Sequence, residues 1–368
     1  MKPHLFAIAF AASLTTGTAL AQTTQLAAPQ SAASKIQQQT KSIQQTLQAK
    51  PDSDQTWKGL KPVLSNFLDN AQQALGAGQT YLALEQLGKA YGPFQAMQYS
   101  EEHDAAVKDM SGFEAQWKRV SVEVSSFDAA ARNRAWDRLP AVVRALSESS
   151  AGKTGALLSA SRAYAKVTST GSGLYYLGES KAAAGFADFC YSLALSRGGA
   201  AFPLRSYSPE LKAFQTRLNA AFQPPRSIAK HPQFIRLNAT VKLANELDAA
   251  GLYAGALYQY LDAVQQLSAM ETPEVDAAQQ GRIPSTIAGL EKQLAASGRD
   301  DSIAELFLQK ARLAITPQDG KDSAEWTLAG SIVSEVLPAY FAAAQAAPAE
   351  APAVKRSTTV TLVRWPYT

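Results

Sequence analysis

Cysteine is almost missing from this chain of 368 residues. Cys190 stands alone, so no internal disulfide can form even in an oxidising compartment. At helical spacing Phe186, Phe189, Cys190 and Leu193 share one face, and no histidine or lysine flanks the thiol to activate it. It therefore reads as a buried structural cysteine. Histidine is nearly as scarce, with three in all, and only His103 and His231 lie beyond the N-terminal segment. That shortage limits general-base and metal chemistry, and no cofactor or metal site is expected. Charged residues make up 18% with a net charge of +4 and no basic block, so nothing asks for nucleic acid. Alternation of period two is scarce before the C-terminus, which disfavours a β architecture. No apolar run after the N-terminus is long enough to suggest a bilayer crossing, so no integral membrane segment is expected in the mature chain.

What is present in quantity is apolar and helix-forming. Hydrophobic residues make up 46%, enough for a substantial core. Lys2 and His4 precede an apolar stretch at 5–14, and Ala19-Leu20-Ala21 offers small residues where a signal peptidase reads. This is the layout of a secretory signal at 1–21, with cleavage after Ala21 and a periplasmic or secreted product of bacterial type. Residues 22–33 are small and polar and are expected to be disordered.

A helical body is expected over 34–346, all-α, with short loops that make neighbouring helices antiparallel hairpins. Ile36, Ile43 and Leu47 mark a first stripe. Ser53 or Asp54 should cap a helix carrying Trp57, Leu64 and Leu68, bent by Pro62. Gly76-Ala77-Gly78 breaks the chain before a helix through Leu82, Leu87 and Tyr91. Further helices are expected at 113–124, 136–146 with Pro140 inside, 155–167, 174–195, 210–222, 234–249, 254–270, 287–296, 302–314 and 324–346. A subdivision of the body is weighed near 196–225, where Gly, Ser and Pro cluster. Residues 347–356 read as an Ala/Pro linker. Beyond it Thr358 to Trp365 is β-branched and aromatic, a strand-prone tail at 357–368.

Two segments share a spacing. Leu243, Ala244, Gly251, Tyr253, Ala256, Tyr260 and Ala263 place small and aromatic residues around a turn, and Gly78, Ala83, Leu87 and Ala90 hold the same offsets. Leu174, Leu177, Gly178 and Gly185 match the first half of a third unit, whose second half fails at Ala194. The pattern resembles the tetratricopeptide repeat over about a quarter of the chain, without a regular period. The resemblance implies a solenoid-like array whose concave face takes a protein or peptide.

Motifs for chemistry are weak. Glu101-Glu102-His103-Asp104 is the richest polar cluster, but adjacent helical residues diverge. The expectation is that Ser100 caps a helix whose first turn is acidic. His231, before Pro232, reads as a loop residue. Ala151-Gly152-Lys153-Thr154 echoes the end of a phosphate loop, yet Ser147 stands where that motif needs glycine and no strand precedes it. No segment resembles the catalytic domain of soluble lytic transglycosylases. Tyr253, Tyr258 and Tyr260 are candidate partner-binding residues, since tyrosine favours interfaces, although packing is the commoner use of such side chains. Val360, Leu362 and Trp365 are candidates in the tail, where an extended segment could join a partner's sheet edge. The expected function is an exported, non-catalytic scaffold or adaptor for a protein or peptide. The alternative is a periplasmic enzyme or carrier acting on an envelope polymer or small ligand.

Overall fold

The computed structural model describes residues 31–51, 54–132, 134–223, 226–271, 275–316 and 323–345. Among them the architecture is all-α, with no strand and a single isolated parallel bridge between Ala200 and Arg299. The expected signal segment at 1–21, the expected linker at 347–356 and the expected tail with Val360, Leu362 and Trp365 lie outside the described residues.

The helices in order begin with α1 (Ala32–Ala49), the short α2 (Gln55–Lys58), α3 (Lys61–Gly76) and α4 (Thr80–Asp104). Next come α5 (Met110–Arg132), α6 (Ala141–Ala151), α7 (Thr154–Val167) and α8 (Thr170–Ser192). After a long loop follow α9 (Ser208–Ala221), the short α10 (Arg226–Ala229), α11 (His231–Ala249) and α12 (Tyr253–Glu271). The last are α13 (Ala277–Ala296), α14 (Ser302–Ile315), α15 (Ser323–Ser331) and α16 (Leu337–Gln345), the final two joined by a π turn at Ile332–Val336.

Three hairpins, α3–α4, α7–α8 and α11–α12, provide most of the packing between consecutive helices, and α4 against α8 is the most extensive pair of all. Two of them turn at a glycine with positive φ, Gly78 at 72° and Gly251 at 75°, a backbone that other residues adopt at a cost. Gly185, the third glycine of the shared spacing, makes no turn and lies inside α8. Helix α8 packs on α4 and α6, α12 packs on α6, and α14 packs on both α4 and α6, which puts these five at the centre. One apolar core runs from Ile36 through Leu84, Leu146, Phe186, Leu257 and Phe307 to Tyr340. Each fully buried leucine or phenylalanine contributes ~1.5–3 kcal/mol from its removal from water. A smaller core of Tyr99, Phe113, Val120, Val124, Leu174 and Leu177 holds α5 to α4 and α8. Phe202, Tyr207, Leu211, Phe214 and Leu218, from the loop and helix near 196–225, belong to the main core.

Several boundaries differ from expectation, each for a local reason. Helix α1 starts at Ala32 because the Ser31 hydroxyl accepts from the Ser34 amide, so Ala32 and Ala33 of the stretch expected to be disordered over 22–33 are helical, and 22–30 lie outside the described residues. Pro62 starts α3 instead of bending a longer helix, and Asp54 caps only the short α2. Pro140 stands just before α6 instead of inside it. Helix α13 begins at a capping box of Asp276 and Gln279 and continues through Pro284, so only its second half was expected. Helix α4 also runs through an internal proline, Pro93, and ends only at Asp104. Ser100 is therefore no cap: its hydroxyl donates to the Gly171 carbonyl at 3.3 Å. His231 opens α11 instead of standing in a loop.

One more difference concerns apolarity. The run Glu325–Gln345 is long and apolar enough to cross a membrane by length and composition, at a mean hydropathy of 1.3. In the fold 44% of it is buried in the protein. Ile332, Val336, Leu337 and Tyr340 are fully buried there, and contacts with α12 and α14 suit a core helix.

Candidate functional site

Helix N-termini in the centre of this fold are capped from far along the chain. The first amides of a helix lack partners within it. Leu82, in the first turn of α4, donates to Gln309 Oε1 of α14 at 3.0 Å. The amides of Ala141 and Val142 in α6 donate to Asp300 Oδ2 at 2.7 Å and to Ser302 Oγ at 3.1 Å. Gly255 in α12 donates to Glu148 Oε2 of α6 at 2.8 Å. Gly255 also has no room for a side chain, since a Cβ there would meet Glu148 Cβ at 2.8 Å. Burial pushes the Glu148 carboxyl above its usual range, opposed by Arg144, whose Nε donates to it at 2.6 Å, and by the α12 amides.

These close approaches hold α4, α6 and α12 around a cleft of about 1090 Å³, completed by α7, α8 and α11. Its floor is a buried charge network. Glu85 of α4, at 3% exposure, accepts the Tyr258 hydroxyl at 2.5 Å. Lys310 of α14 stands 2.5 Å from the same carboxylate oxygen and Lys89 stands 3.3 Å from the other. Burial raises the Glu85 pKa, but Lys310 and Lys89 outweigh it and hold the carboxyl at about 2. Lys310 also lies 4.3 Å from the Phe307 ring centre, a favourable site for a desolvated cation. Asp262 of α12 is 4.0 Å from Lys310.

The walls differ from one another. On the α7–α8 side are Ala156, Leu157, Ala160 and Phe186. On the α11 side are Arg236 and Lys242, with Lys230 just before the helix. Lys230 is used, its ammonium donating to the Met270 carbonyl at 2.5 Å. Arg236 and Lys153 have no ion-pair partner among the described residues. The Lys153 side chain is exposed overall, yet protein atoms crowd its ammonium. That desolvation pulls its pKa below the ordinary lysine value, with Glu179 and Asp262 acting in the opposite sense. Together the cleft holds five cations, Lys89, Lys153, Lys230, Arg236 and Lys242, against three carboxylates, Glu85, Glu246 and Asp262, so it is net positive. Two of its polar atoms, Ser149 Oγ and Gln265 Oε1, are buried without a hydrogen-bond partner among the described residues.

A second cleft of about 880 Å³ lies between the start of α4 and the α13–α14 connection. It carries Asp300, Asp301, Glu305 and Tyr81. Asp301 accepts the Tyr340 hydroxyl at 2.6 Å and Arg299 Nε at 2.8 Å through one oxygen, and its other oxygen is buried without a hydrogen-bond partner among the described residues. Desolvation, with Asp300 and Glu291 adding to it, raises the Glu305 pKa against a hydrogen bond from Gln309. Burial together with Glu305 and Asp300 pushes Tyr81 up to about 12.

Of the tyrosines singled out in the sequence, only Tyr258 reaches a cleft, and it is buried at 6% exposure. Tyr260 turns the other way, with its ring edge-on to Phe214 at 6.1 Å. Tyr253 is half-buried at the start of α12. Sequence reasoning missed Glu85, Lys89, Ser149, Lys153 and Arg236. A signal existed for two: Glu85 and Lys89 follow Gly78 at the offsets at which Tyr258 and Asp262 follow Gly251. Lys153 belongs to the phosphate-loop echo, and a helix, not a strand, precedes it.

The other cluster resolves into structure. Glu101 sits in the last turn of α4, not in a first turn, and accepts the buried Trp57 Nε1 at 2.5 Å and Lys50 Nζ at 2.6 Å. His103 Nδ1 lies 2.9 Å from the Tyr99 carbonyl and its Nε2 3.1 Å from Arg119. No group of three metal-ligating residues occurs among the described residues. Cys190 is fully buried, and burial raises its thiol far above the usual range. Comparison with known protein families, with characterised proteins and with solved structures gives no match.

Proposed function

We propose that this chain is a non-catalytic helical adaptor, exported from the cell, whose large cleft holds a segment of a protein partner. One observation carries the reading: the cleft is open and net positive, with apolar side chains such as Leu157 and Phe186 beside Lys153, where α7 begins, and Arg236 of α11, two cations with no ion-pair partner among the described residues. Such a lining fits an amphipathic stretch of polypeptide better than a small molecule, which is usually enclosed in a pocket of ~300–1,000 Å³. The ionised groups on the floor are committed to one another, which leaves Glu85 unsuited to proton transfer. The resemblance of the two glycine-turned hairpins to tetratricopeptide units agrees with a peptide-binding array. The N-terminal pattern ending at Ala21 supports export.

The experiment is site-specific photo-crosslinking in a cell-envelope extract. A photoreactive side chain replaces Gln233 at the cleft or Val122 on the exposed face of α5. A defined partner captured at position 233 and not at 122 supports the reading. Capture at neither position, or equally at both, sinks it.

A second reading, an enzyme or carrier for an envelope polymer or small ligand, draws on the other cleft. There Glu305 holds its proton more tightly than an ordinary carboxyl, the property a general acid needs. It predicts polymer turnover or ligand uptake that Glu305→Gln abolishes.

A further inference from the structure

We infer that the segment seated in the large cleft is acidic, with side-chain carboxylates met by Lys153 and Arg236 and one of them accepting the Ser149 hydroxyl. This rests on the adaptor reading and goes further by stating the partner's chemistry. On the floor the two charges of Lys89 and Lys310 are balanced by Glu85 and Asp262. The charges that set the sign of the cleft are those left over. Lys153, where α7 begins, and Arg236, on α11, have no ion-pair partner among the described residues. Glu179 and Asp262 act on Lys153 without reaching it as an ion pair.

Ser149 supplies an independent observation. Ser149 is 4% exposed, lines the cleft and has a hydroxyl with no hydrogen-bond partner among the described residues. Its neighbour Ser150 shows the ordinary solution, donating to the Ala183 carbonyl at 2.9 Å. An unsatisfied buried hydroxyl costs ~1–3 kcal/mol, and an arriving carboxylate removes that cost. A carboxylate also restores to Lys153 the charge stabilisation that desolvation takes away. Leu157, one turn along α7 from Lys153, and Phe186 of α8 accept the apolar side chains of the same segment.

The test uses the full chain and fluorescence polarisation with labelled peptides of alternating glutamate and alanine, and glutamine and alanine. The glutamate peptide is expected to bind, more weakly as salt rises. Lys153→Gln and Arg236→Gln should each weaken it about tenfold, the loss of roughly one charge-assisted hydrogen bond, while Lys153→Arg retains most of the affinity. Ser149→Ala should weaken it less. Failure of the glutamate peptide to bind, equal binding of the glutamine peptide, or indifference to the Lys153→Gln/Arg236→Gln pair overturns the inference. Complete displacement by inorganic phosphate at the peptide's own concentration also overturns it, by showing a site for a free anion. If a partner still cross-links at position 233 but ignores both charge substitutions, the adaptor reading stands and only the acidic segment is lost. Absence of any cross-linked partner removes the adaptor reading itself.

Discussion

Glu85 shows how one residue can be both costly and necessary. Buried alone, a carboxylate would shed its charge, but Lys310, Lys89 and the Tyr258 hydroxyl keep it ionised. Removing one partner leaves a buried charge without compensation. Glu85→Ala and Lys310→Met are each expected to destabilise the fold by roughly 3–5 kcal/mol, and the double variant by less than the sum; urea unfolding of the three variants checks this. The lowered pKa also sets a pH dependence. The stabilisation from Glu85 is full above its unfolded value near 4.5 and is lost as pH falls towards about 2. Stability curves of wild type and Glu85→Gln should therefore converge across that window, and parallel curves would contradict the network. Tyr258, a candidate contact residue in the sequence, is part of this floor, because burial and the Glu85 carboxylate claim its hydroxyl.

Two glycines of α8 separate local propensity from packing. A Cβ on Gly178 would meet Tyr99 Cβ at 2.6 Å and the Ala96 backbone at 3.0 Å. Gly178→Ala should therefore lower stability by ~1–3 kcal/mol, as overpacking pushes α8 off α4. Gly185 meets only the Tyr91 hydroxyl, at 3.3 Å, so Gly185→Ala should be neutral or gain up to about 1 kcal/mol of helix propensity. Thermal melts of the pair settle the matter; equal losses would mean that packing at Gly178 does not limit the approach of α8. The same contrast explains the helix ends. Ser31, Asp54, Ser169 and Asp276 cap their own helices from adjacent positions, and such caps are legible in order along the chain. The starts of α4, α6 and α12 answer to Gln309, Asp300 and Glu148, which no local window contains.

Across the molecule, apolar packing is uneven. The main core links α1 to α16, whereas α5 is held by the smaller core around Phe113 and Leu174. Opening of α5 exposes less apolar surface and costs less than opening the centre. Amide exchange should therefore be faster in α5 than in α12, where Ala256, Leu257 and Leu261 are fully buried. Equal protection of the two would show that both cores open together. At this scale the cleft is a property of assembly, since its side chains come from six helices that meet only when the core closes.

The sequence by itself determined the all-α class, the position of most helices, the turns at Gly78 and Gly251 and the burial of Cys190. Each depends on a repeat of about 3.6 residues or on contacts a few positions apart, and such order is written locally. Tertiary structure alone decided that Pro93 and Pro284 would be carried inside helices and that Glu101 would end a helix and bind Trp57. It also decided that Lys153 would face a cleft without an ion-pair partner among the described residues. Those outcomes rest on free energies of burial and charge pairing between residues far apart in the chain, and no pattern along the sequence records which distant side chain will arrive.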